Sequence, residues 1–242
     1  MHRGASPRGR ARNRSHRHGG VVRAACERGA DRRGVVSVSD RASDRDQGGF
    51  DRPGPDQWDV NCRPERLREE LEGSLRRLRL ERIDVWQLHR IDPEVPEEKQ
   101  FETIRKFQQE GKIRHVGLSE VKIDEIKRAR KFFPVVSVQN RYNLADREWE
   151  KVLDYCEGEG IAFIPWYPLQ VGKLAKGGGR LASIAKKHHA TPSQVALAWL
   201  LKRSPVILPI PGTAKVKHLE ENAGAAAIQL TDEELAEITS RA

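Results

Sequence analysis

The sequence predicts an α/β fold in which a parallel sheet is covered by helices. From residue 48 to the C-terminus, short apolar segments rich in β-branched residues alternate with amphipathic segments. Strands of parallel sheets are buried on both faces and are joined by crossover helices, which explains this pattern. Residues 1–47 differ, because they contain 12 Arg, no Lys and 5 acidic residues and carry +7 of the net charge of +9. We therefore predict an Arg-rich segment at 1–47, disordered or out of frame, and a folded part at 48–242.

Three helices, each followed by a strand, are predicted between residues 64 and 139. Leucines at positions 67, 71, 75 and 78 recur at helical spacing after Pro64, and proline is common in the first turn of a helix. Gly111 ends the second helix. The predicted helices are 64–78, 97–110 and 121–132, and the predicted strands are 83–88, 113–118 and 135–139.

Glycines and capping residues mark the remaining elements. Gly158 and Gly160 are expected to stop a helix, because glycine adopts the left-handed conformation in which helices end. The hydroxyl of Thr191, the proline after it and Gln194 form a capping box that starts another helix. The predicted elements are helices at 148–157 and 195–202 and strands at 161–166 and 206–209.

Polar and aromatic residues stand at the carboxyl ends of the predicted strands. In a (β/α)8 barrel the functional residues occupy these positions. A doubly wound fold with a dinucleotide site would carry GxGxxG after its first strand, and the sequence lacks that motif. We therefore predict a TIM (β/α)8 barrel, incomplete at its N-terminal side, with these strand-end residues: His89, Ser119, Gln139, Asn140, Trp166, Tyr167, Gly212 and Thr213.

Composition excludes several classes of protein. No run of eighteen or more apolar residues occurs, and no hydrophobic segment follows the charged N-terminus. Neither a membrane span nor a secretory signal is predicted, and a cytoplasmic location is expected. Three widely spaced cysteines without a CxxC pair argue against a disulfide framework or a zinc site.

Four segments of the sequence resemble one known family. They read Gln-Leu-His at 87–89, Gly-Lys-Ile-Arg-His-Val-Gly-Leu-Ser at 111–119, Val-Gln-Asn-Arg-Tyr-Asn at 138–143, and Ile-Pro-Gly-Thr with Leu-Glu-Glu-Asn within 210–222. In order and spacing they are similar to the aldo-keto reductase family, from residue 48 to residue 242. The resemblance implies a barrel of that type, NAD(P)H-dependent reduction of aldehydes or ketones to alcohols, a small-molecule carbonyl substrate and a monomer.

The resemblance also implies the residues of the site. His89 matches the catalytic histidine that positions and polarises the substrate carbonyl. Ser119 and Gln139 match residues that hydrogen-bond the nicotinamide amide, and Trp166 matches the aromatic residue that stacks on its ring. The other cofactor-binding residues are Tyr167, Leu169 and a set at the loop and helix start that hold the adenosine and its 2′-phosphate: Gly212, Thr213, Lys215, His218, Glu221 and Asn222.

Two departures from the family pattern affect the expected cofactor, NADPH. Glu120 stands where many members carry Asn, so one contact to the nicotinamide amide is expected to be weakened. His218 stands where Arg is common, and Arg is the better partner for a phosphate group. A weaker preference for NADPH over NADH follows, and NAD remains an alternative.

Structural interpretations stay open beside the functional ones. His89 could be a structural histidine, Trp166 could fill the end of the barrel, and the helix after Lys215 could be an ordinary surface helix. The Arg-rich segment could bind the phosphates of RNA or DNA. It has no aromatic residue before Phe50 to stack on bases, so specific recognition of nucleic acid is not expected.

Three of the four catalytic residues of the family, an Asp, a Tyr and a Lys, lack counterparts in this chain. The resemblance places the Lys just before Gly48, where the sequence reads Asp-Arg-Asp-Gln at 44–47. Codons for these residues, read one nucleotide later, permit Ile-Ala-Thr-Lys. The same shift of residues 16–36 permits the Asp and Tyr motif of the family. We therefore predict that residues 1–47 are a family N-terminus in the wrong frame and that this copy is inactive.

Sequencing of the genomic locus tests the predicted frameshift. We expect the nucleotides that encode residues 44–47 to spell Ile-Ala-Thr-Lys in the neighbouring frame, and those for residues 16–36 to spell the Asp and Tyr motif. A base deletion or a sequencing error near the codon of Gly48 would restore the frame. If the neighbouring frame spells neither motif, the frameshift hypothesis is wrong.

Overall fold

The computed structural model describes residues 44–170 and 179–240, and a parallel sheet with surrounding helices dominates these residues. A short 3-10 helix at Ala225–Ala227 joins the last two helices. In chain order the elements are β1 (Arg45–Gly48), β2 (Phe50–Asp51), β3 (Asp59–Val60), α1 (Pro64–Leu78), β4 (Ile83–Leu88), α2 (Glu97–Gln109), β5 (Ile113–Ser119), α3 (Ile123–Ala129), β6 (Val135–Gln139), α4 (Glu150–Glu159), β7 (Ala162–Phe163), α5 (Arg180–Lys187), α6 (Pro192–Arg203), α7 (Val216–Gly224) and α8 (Asp232–Thr239).

Five strands form the sheet in the order β1-β4-β5-β6-β7, and every pair is parallel. A sixth segment continues it, because Phe163 makes an isolated parallel bridge with Ile207. Strands β2 and β3 form a separate antiparallel hairpin. The described residues thus supply the consecutive strands of a partial (β/α)8 barrel, which confirms the predicted fold class.

Most predicted elements are confirmed close to their predicted ends. Strands β4 and β6 have the predicted bounds, and β5 extends one residue further, to Ser119. Helix α2 ends before Gly111, whose φ of +72° is the left-handed conformation expected there. Helix α3 is shorter than predicted and covers only Ile123–Ala129.

Proline explains two predicted strands that were wrong in extent. The strand predicted at 161–166 contains only Ala162–Phe163, and Pro165 follows. The strand predicted at 206–209 is reduced to the single β-bridge of Ile207 with Phe163, and Pro205 and Pro209 stand on either side of Ile207. Proline has no backbone N–H and so cannot donate to a ladder of hydrogen bonds.

Helix ends and three further elements depart from the prediction. Gly158 lies inside α4, and Gly160 alone ends that helix, with a φ of +66°. Helices α5 and α8 and the β2–β3 hairpin have no counterpart in the prediction. Strand β1 begins at Arg45, so residues 45–47 of the predicted Arg-rich segment belong to the sheet. Residues 1–43 lie outside the described residues, so the division of the chain into an Arg-rich segment at 1–47 and a folded part at 48–242 stays a prediction.

Successive side chains of β4 face opposite sides of the sheet. The outer face packs against the helices, and the inner face points away from them. Trp86 points outward and packs edge-on against Phe107 of α2, with ring centroids 6.1 Å apart. Gln87 points the opposite way, because successive side chains of a strand face opposite sides. Helices α1 and α2 cover the outer face with apolar residues that include Leu67, Leu71 and Ile104. The inner face is apolar at Ile83 and Val85 and becomes polar at Gln87, towards the carboxyl end of the strand.

The capping box of α6 allows a direct test of its contribution to stability. The Thr191 hydroxyl accepts a hydrogen bond from the Gln194 backbone N–H (3.2 Å), and the Gln194 side chain accepts one from the Thr191 N–H (2.9 Å). We expect Thr191→Ala to lower the free energy of unfolding by about 1 kcal/mol. Thr191→Ser keeps the hydroxyl and should stay near the original value. Urea unfolding measures both, and equal losses would contradict the capping role.

Candidate functional site

The parallel register brings the ends of neighbouring strands to one level. Leu88 lies opposite Leu118, and Ser119 lies opposite Gln139. His89 follows Leu88 and is therefore adjacent to Ser119. The structure thus brings together three residues that the sequence predicts for the site, at the carboxyl end of the sheet where barrel enzymes carry their functional groups.

His89 is enclosed by the β2–β3 hairpin. Its backbone N–H donates a hydrogen bond to the Gly48 carbonyl oxygen (2.9 Å), which fixes the end of β4 to β1. Its ring lies edge-on to Phe50, with centroids 4.6 Å apart, and to Trp58, with centroids 6.2 Å apart. The sequence did not predict this pair of aromatic residues, because no element was predicted between residues 48 and 64.

Burial and positive charge keep His89 neutral. Desolvation, together with the smaller effects of the charges of Arg90 and Arg45, lowers the pKa of its imidazole from 6.5 to about 4. At neutral pH the ring carries one donor and one acceptor nitrogen. It can therefore hydrogen-bond a substrate oxygen through its N–H, but it lacks the second proton of the imidazolium, which is the one that a general acid would transfer.

Ser119 and Gln139 are tied to each other and to Arg90. The buried Ser119 hydroxyl donates to the Gln139 backbone oxygen (2.9 Å). The same hydroxyl accepts a hydrogen bond from the Arg90 guanidinium (3.1 Å), which also donates to the His89 carbonyl oxygen (2.6 Å). Arg90 was not predicted as a site residue. Its side chain connects the ends of β4 and β5, and Ser119 extends the connection to β6.

Arg45 is the second site residue that the sequence analysis missed. Its Nη2 donates to the side-chain oxygen of Gln87 (2.7 Å) and to the side-chain oxygen of Gln139. Arg45 and Gln47 are two positions apart on β1, so their side chains share its inner face. That period of two is present in the sequence, but residues 44–47 belong to the predicted Arg-rich segment, for which no strand is predicted.

Glu120 holds Trp166 in place. Its carboxylate accepts hydrogen bonds from the Trp166 indole N–H (2.5 Å) and from the Arg141 backbone N–H (2.7 Å). The backbone of Glu120 has a φ of +54°, which turns the chain sharply after β5. Asn140 supports the same turn, because its side chain exchanges hydrogen bonds with the backbone of Val121 (3.2 and 2.9 Å).

Tyr167 and Leu169 follow Trp166 on the same stretch of chain. Tyr167 has a φ of +64°, and its backbone oxygen accepts a hydrogen bond from the Asn143 side chain (3.1 Å). Leu169 is partly buried against the core. The guanidinium of Arg141 lies over both rings, 5.9 Å from Trp166 and 5.3 Å from Tyr167. These predicted residues are placed at the strand end, next to residues 171–178, which lie outside the described residues.

The second predicted cluster lies in the loop before α7 and in that helix. The loop follows the segment that bridges β7, so it leaves the sheet at the same carboxyl end as Trp166. Helix α7 has no side-chain cap at Lys215, and the Thr213 hydroxyl accepts the Lys215 N–H (3.1 Å). No residue of α7 is buried. The predicted residues are exposed or half-exposed: Gly212, Thr213, Lys215, His218, Glu221 and Asn222.

Other kinds of site are not seen in the described residues. Within 44–170 and 179–240, no group of three or more His, Cys, Asp or Glu side chains could hold a metal ion. No helix in these ranges is long and apolar enough to cross a membrane. Cys62 and Cys156 are buried free thiols. The residues of the Arg-rich segment that could contact nucleic acid, 1–43, lie outside the described part.

Comparison with known proteins matches this arrangement to one family. The model of the Aldo/keto reductase family matches residues 22–242, so the match begins upstream of the four segments identified in the sequence. An uncharacterized oxidoreductase of Schizosaccharomyces pombe is 57% identical over 192 residues, which are 79% of this chain and 63% of that protein. The chain therefore spans less than two thirds of that relative.

Solved structures agree with the family match. The structure of a thermostable aldo-keto reductase in complex with the inhibitor epalrestat has a TM-score of 0.70 and 33% identity, covering 74% of this chain and 67% of that one. The aldo/keto reductase from Klebsiella pneumoniae in complex with NADP and acetate has a TM-score of 0.65 and 30% identity, covering 72% of this chain and 64% of that one.

Titration of His89 tests the electrostatics of the site. We expect nuclear magnetic resonance to show this ring neutral at pH 6 and charging only near pH 4. Because the folded-state pKa lies below the unfolded value of 6.5, the native state should lose stability as pH falls from 6.5 towards 4. Arg90→Gln should raise the pKa while leaving it below 6.5, since burial is the larger cause. A ring that titrates near 6.5 in the unmodified chain would refute the buried, cation-flanked environment.

Proposed function

Since the chain belongs to the aldo/keto reductase family, we propose that it is an oxidoreductase scaffold that binds NADP(H) but has lost the reduction of aldehydes and ketones. The parent reaction would reduce a small carbonyl compound to an alcohol. A monomeric state and a cytoplasmic location complete the proposal. Each of these statements is a proposal for this chain, since it spans only part of its relatives.

The identity of residue 47 carries the proposal of lost catalysis. The resemblance places the catalytic Lys directly before Gly48, and Gln47 occupies that position at the end of β1. Gln47 pairs in register with Gln87, two residues before His89. An ammonium group there would favour ionisation of a nearby phenol, because a positive charge lowers the pKa of an acid. The amide of Gln47 carries no charge and cannot do so.

The tyrosines of the chain supply no evident replacement for the proton donor. All three lie in the described residues, and none belongs to β1 or β4, the strands beside His89. Tyr142 is buried outside the strand ends and donates to the Glu150 carboxylate (3.3 Å), and burial raises the pKa of its phenol. Tyr155 accepts a hydrogen bond from Arg130 among the outer helices (3.1 Å). Tyr167 follows β7, three strands away from β4.

The adenosine end of the expected cofactor fits the region around α7. Uncapped N–H groups at a helix N-terminus attract phosphate, and the helix dipole adds to this attraction. Lys215 brings a positive charge to that end, and no atom lies within 4 Å of the position that a Cβ on Gly212 would take. Since His218 replaces the usual Arg, we propose that NADPH is preferred only weakly and that NADH also binds.

The nicotinamide end of the cofactor does not fit the side chains found there. The side-chain oxygen of Gln139 already accepts a hydrogen bond from Arg45, and the Ser119 hydroxyl is used by Gln139 and Arg90. Weakened binding of the whole cofactor follows. We therefore assign no step of the parent reaction to this chain.

An assay of NADPH oxidation with a generic aldehyde tests the proposed function. We expect the chain as given to show no turnover above the uncatalysed rate, and His89→Ala to change nothing. The matched control is a chain whose residues 16–47 are encoded in the shifted frame, which regains Asp, Tyr and Lys and should turn over. Oxidation by the unmodified chain that disappears in His89→Ala would overturn the proposal.

A further inference from the structure

A cation lies inside the barrel where the family resemblance expects the neutral amide of nicotinamide. The Arg45 guanidinium reaches Gln87 on the neighbouring strand and Gln139 on β6. Burial lowers the pKa of this guanidinium to about 10, so it stays charged at neutral pH. Among the described residues, its hydrogen-bond acceptors are two amide oxygens, and no carboxylate there lies within 4.0 Å of it.

The Arg45 side chain is fixed by hydrogen bonds to two neutral partners, Gln87 and Gln139. Arg45 is partly buried, and a cation removed from water is costly unless hydrogen bonds satisfy it, so withdrawal of Gln139 would leave one of its donors unpaired. Gln139 is itself fixed, because its backbone oxygen accepts the Ser119 hydroxyl and the Glu120 N–H (3.0 Å). Displacement of Arg45 by a ligand therefore needs a stronger acceptor than the nicotinamide amide offers.

We propose that Arg45 occupies the nicotinamide subsite of this chain, so that the site binds an adenosine 2′,5′-bisphosphate group as tightly as it binds the intact dinucleotide. This inference rests on the proposed function, since it assumes that the α7 region holds the adenosine end. The adenosine half makes all the productive contacts. The nicotinamide half stays outside the strand ends and adds no affinity.

Charge strengthens the same conclusion for the oxidised cofactor. The nicotinamide ring of NADP+ is positive, and like charges repel strongly in a low-dielectric interior. His89 is neutral and gives no compensation, while Arg90 adds a second cation beside Ser119. NADP+ should therefore bind no better than NADPH, and its ring should be excluded from the site as well.

Calorimetric titration of the full chain with 2′,5′-ADP and with NADPH tests the inference. For the unmodified chain we expect equal dissociation constants within about twofold. Arg45→Met replaces the charged side chain with an unbranched apolar one. This variant should bind NADPH about tenfold more tightly or better, while its dissociation constant for 2′,5′-ADP is unchanged. Arg45→Ala should behave alike, and it provides a second variant should one of them fail to fold.

The control variant is Arg82→Ala, which removes one exposed positive charge just before β4. It lowers the net charge by one, as the Arg45 variants do, and it should leave the affinities for NADPH and 2′,5′-ADP unchanged. This separates the effect of Arg45 from a general attraction to anions. Preference of the unmodified chain for NADPH over 2′,5′-ADP by tenfold overturns the inference. Arg45 variants whose dissociation constants for the two ligands remain equal overturn it as well. Failure of 2′,5′-ADP to bind any variant would instead overturn the proposed cofactor site, and the inference with it.

Discussion

Parallel pairing in a fixed register is the constraint on which the site depends. Hydrogen bonds between β4, β5 and β6 place Leu88, Leu118 and Val138 side by side, and the residues that follow these strands share one edge. A slip of one residue would turn every side chain to the opposite face. Trp86 would then enter the interior and Gln87 would face the helices. The apolar helix layer and the polar site thus depend on the same ladder.

Sequence patterns predicted the elements whose signals are local. The bounds of β4 and β6 follow from compact apolar runs, and the start of α6 follows from Thr191 and its capping box. The contacts that define the site join residues far apart in the chain. Glu120 and Trp166 are 46 positions apart, and Arg45 and Gln139 are 94 apart. No local pattern encodes such pairs, and the family resemblance could not supply Arg45, because the family does not carry it there.

The two ends of the proposed cofactor region differ in how they are built. Around α7 the expected contacts are backbone N–H groups and exposed side chains, which require little from the rest of the chain. At the strand ends the expected contacts are buried side chains that share hydrogen bonds with β1. A change confined to the first strand therefore alters one end and leaves the other intact. Partial retention of the proposed site would be the physical result.

Alternation along β1 places Arg45 and Gln47 on one face, and under the proposed loss of catalysis this limits how activity could be regained. The predicted change of reading frame would exchange both residues in a single event. Point mutations would have to replace them one at a time, and a lysine introduced first at position 47 would stand on the same face as the partly buried guanidinium of Arg45. Repulsion between the two cations would penalise that intermediate. Stepwise reversion must therefore remove the arginine first, a change that by itself restores no proton transfer.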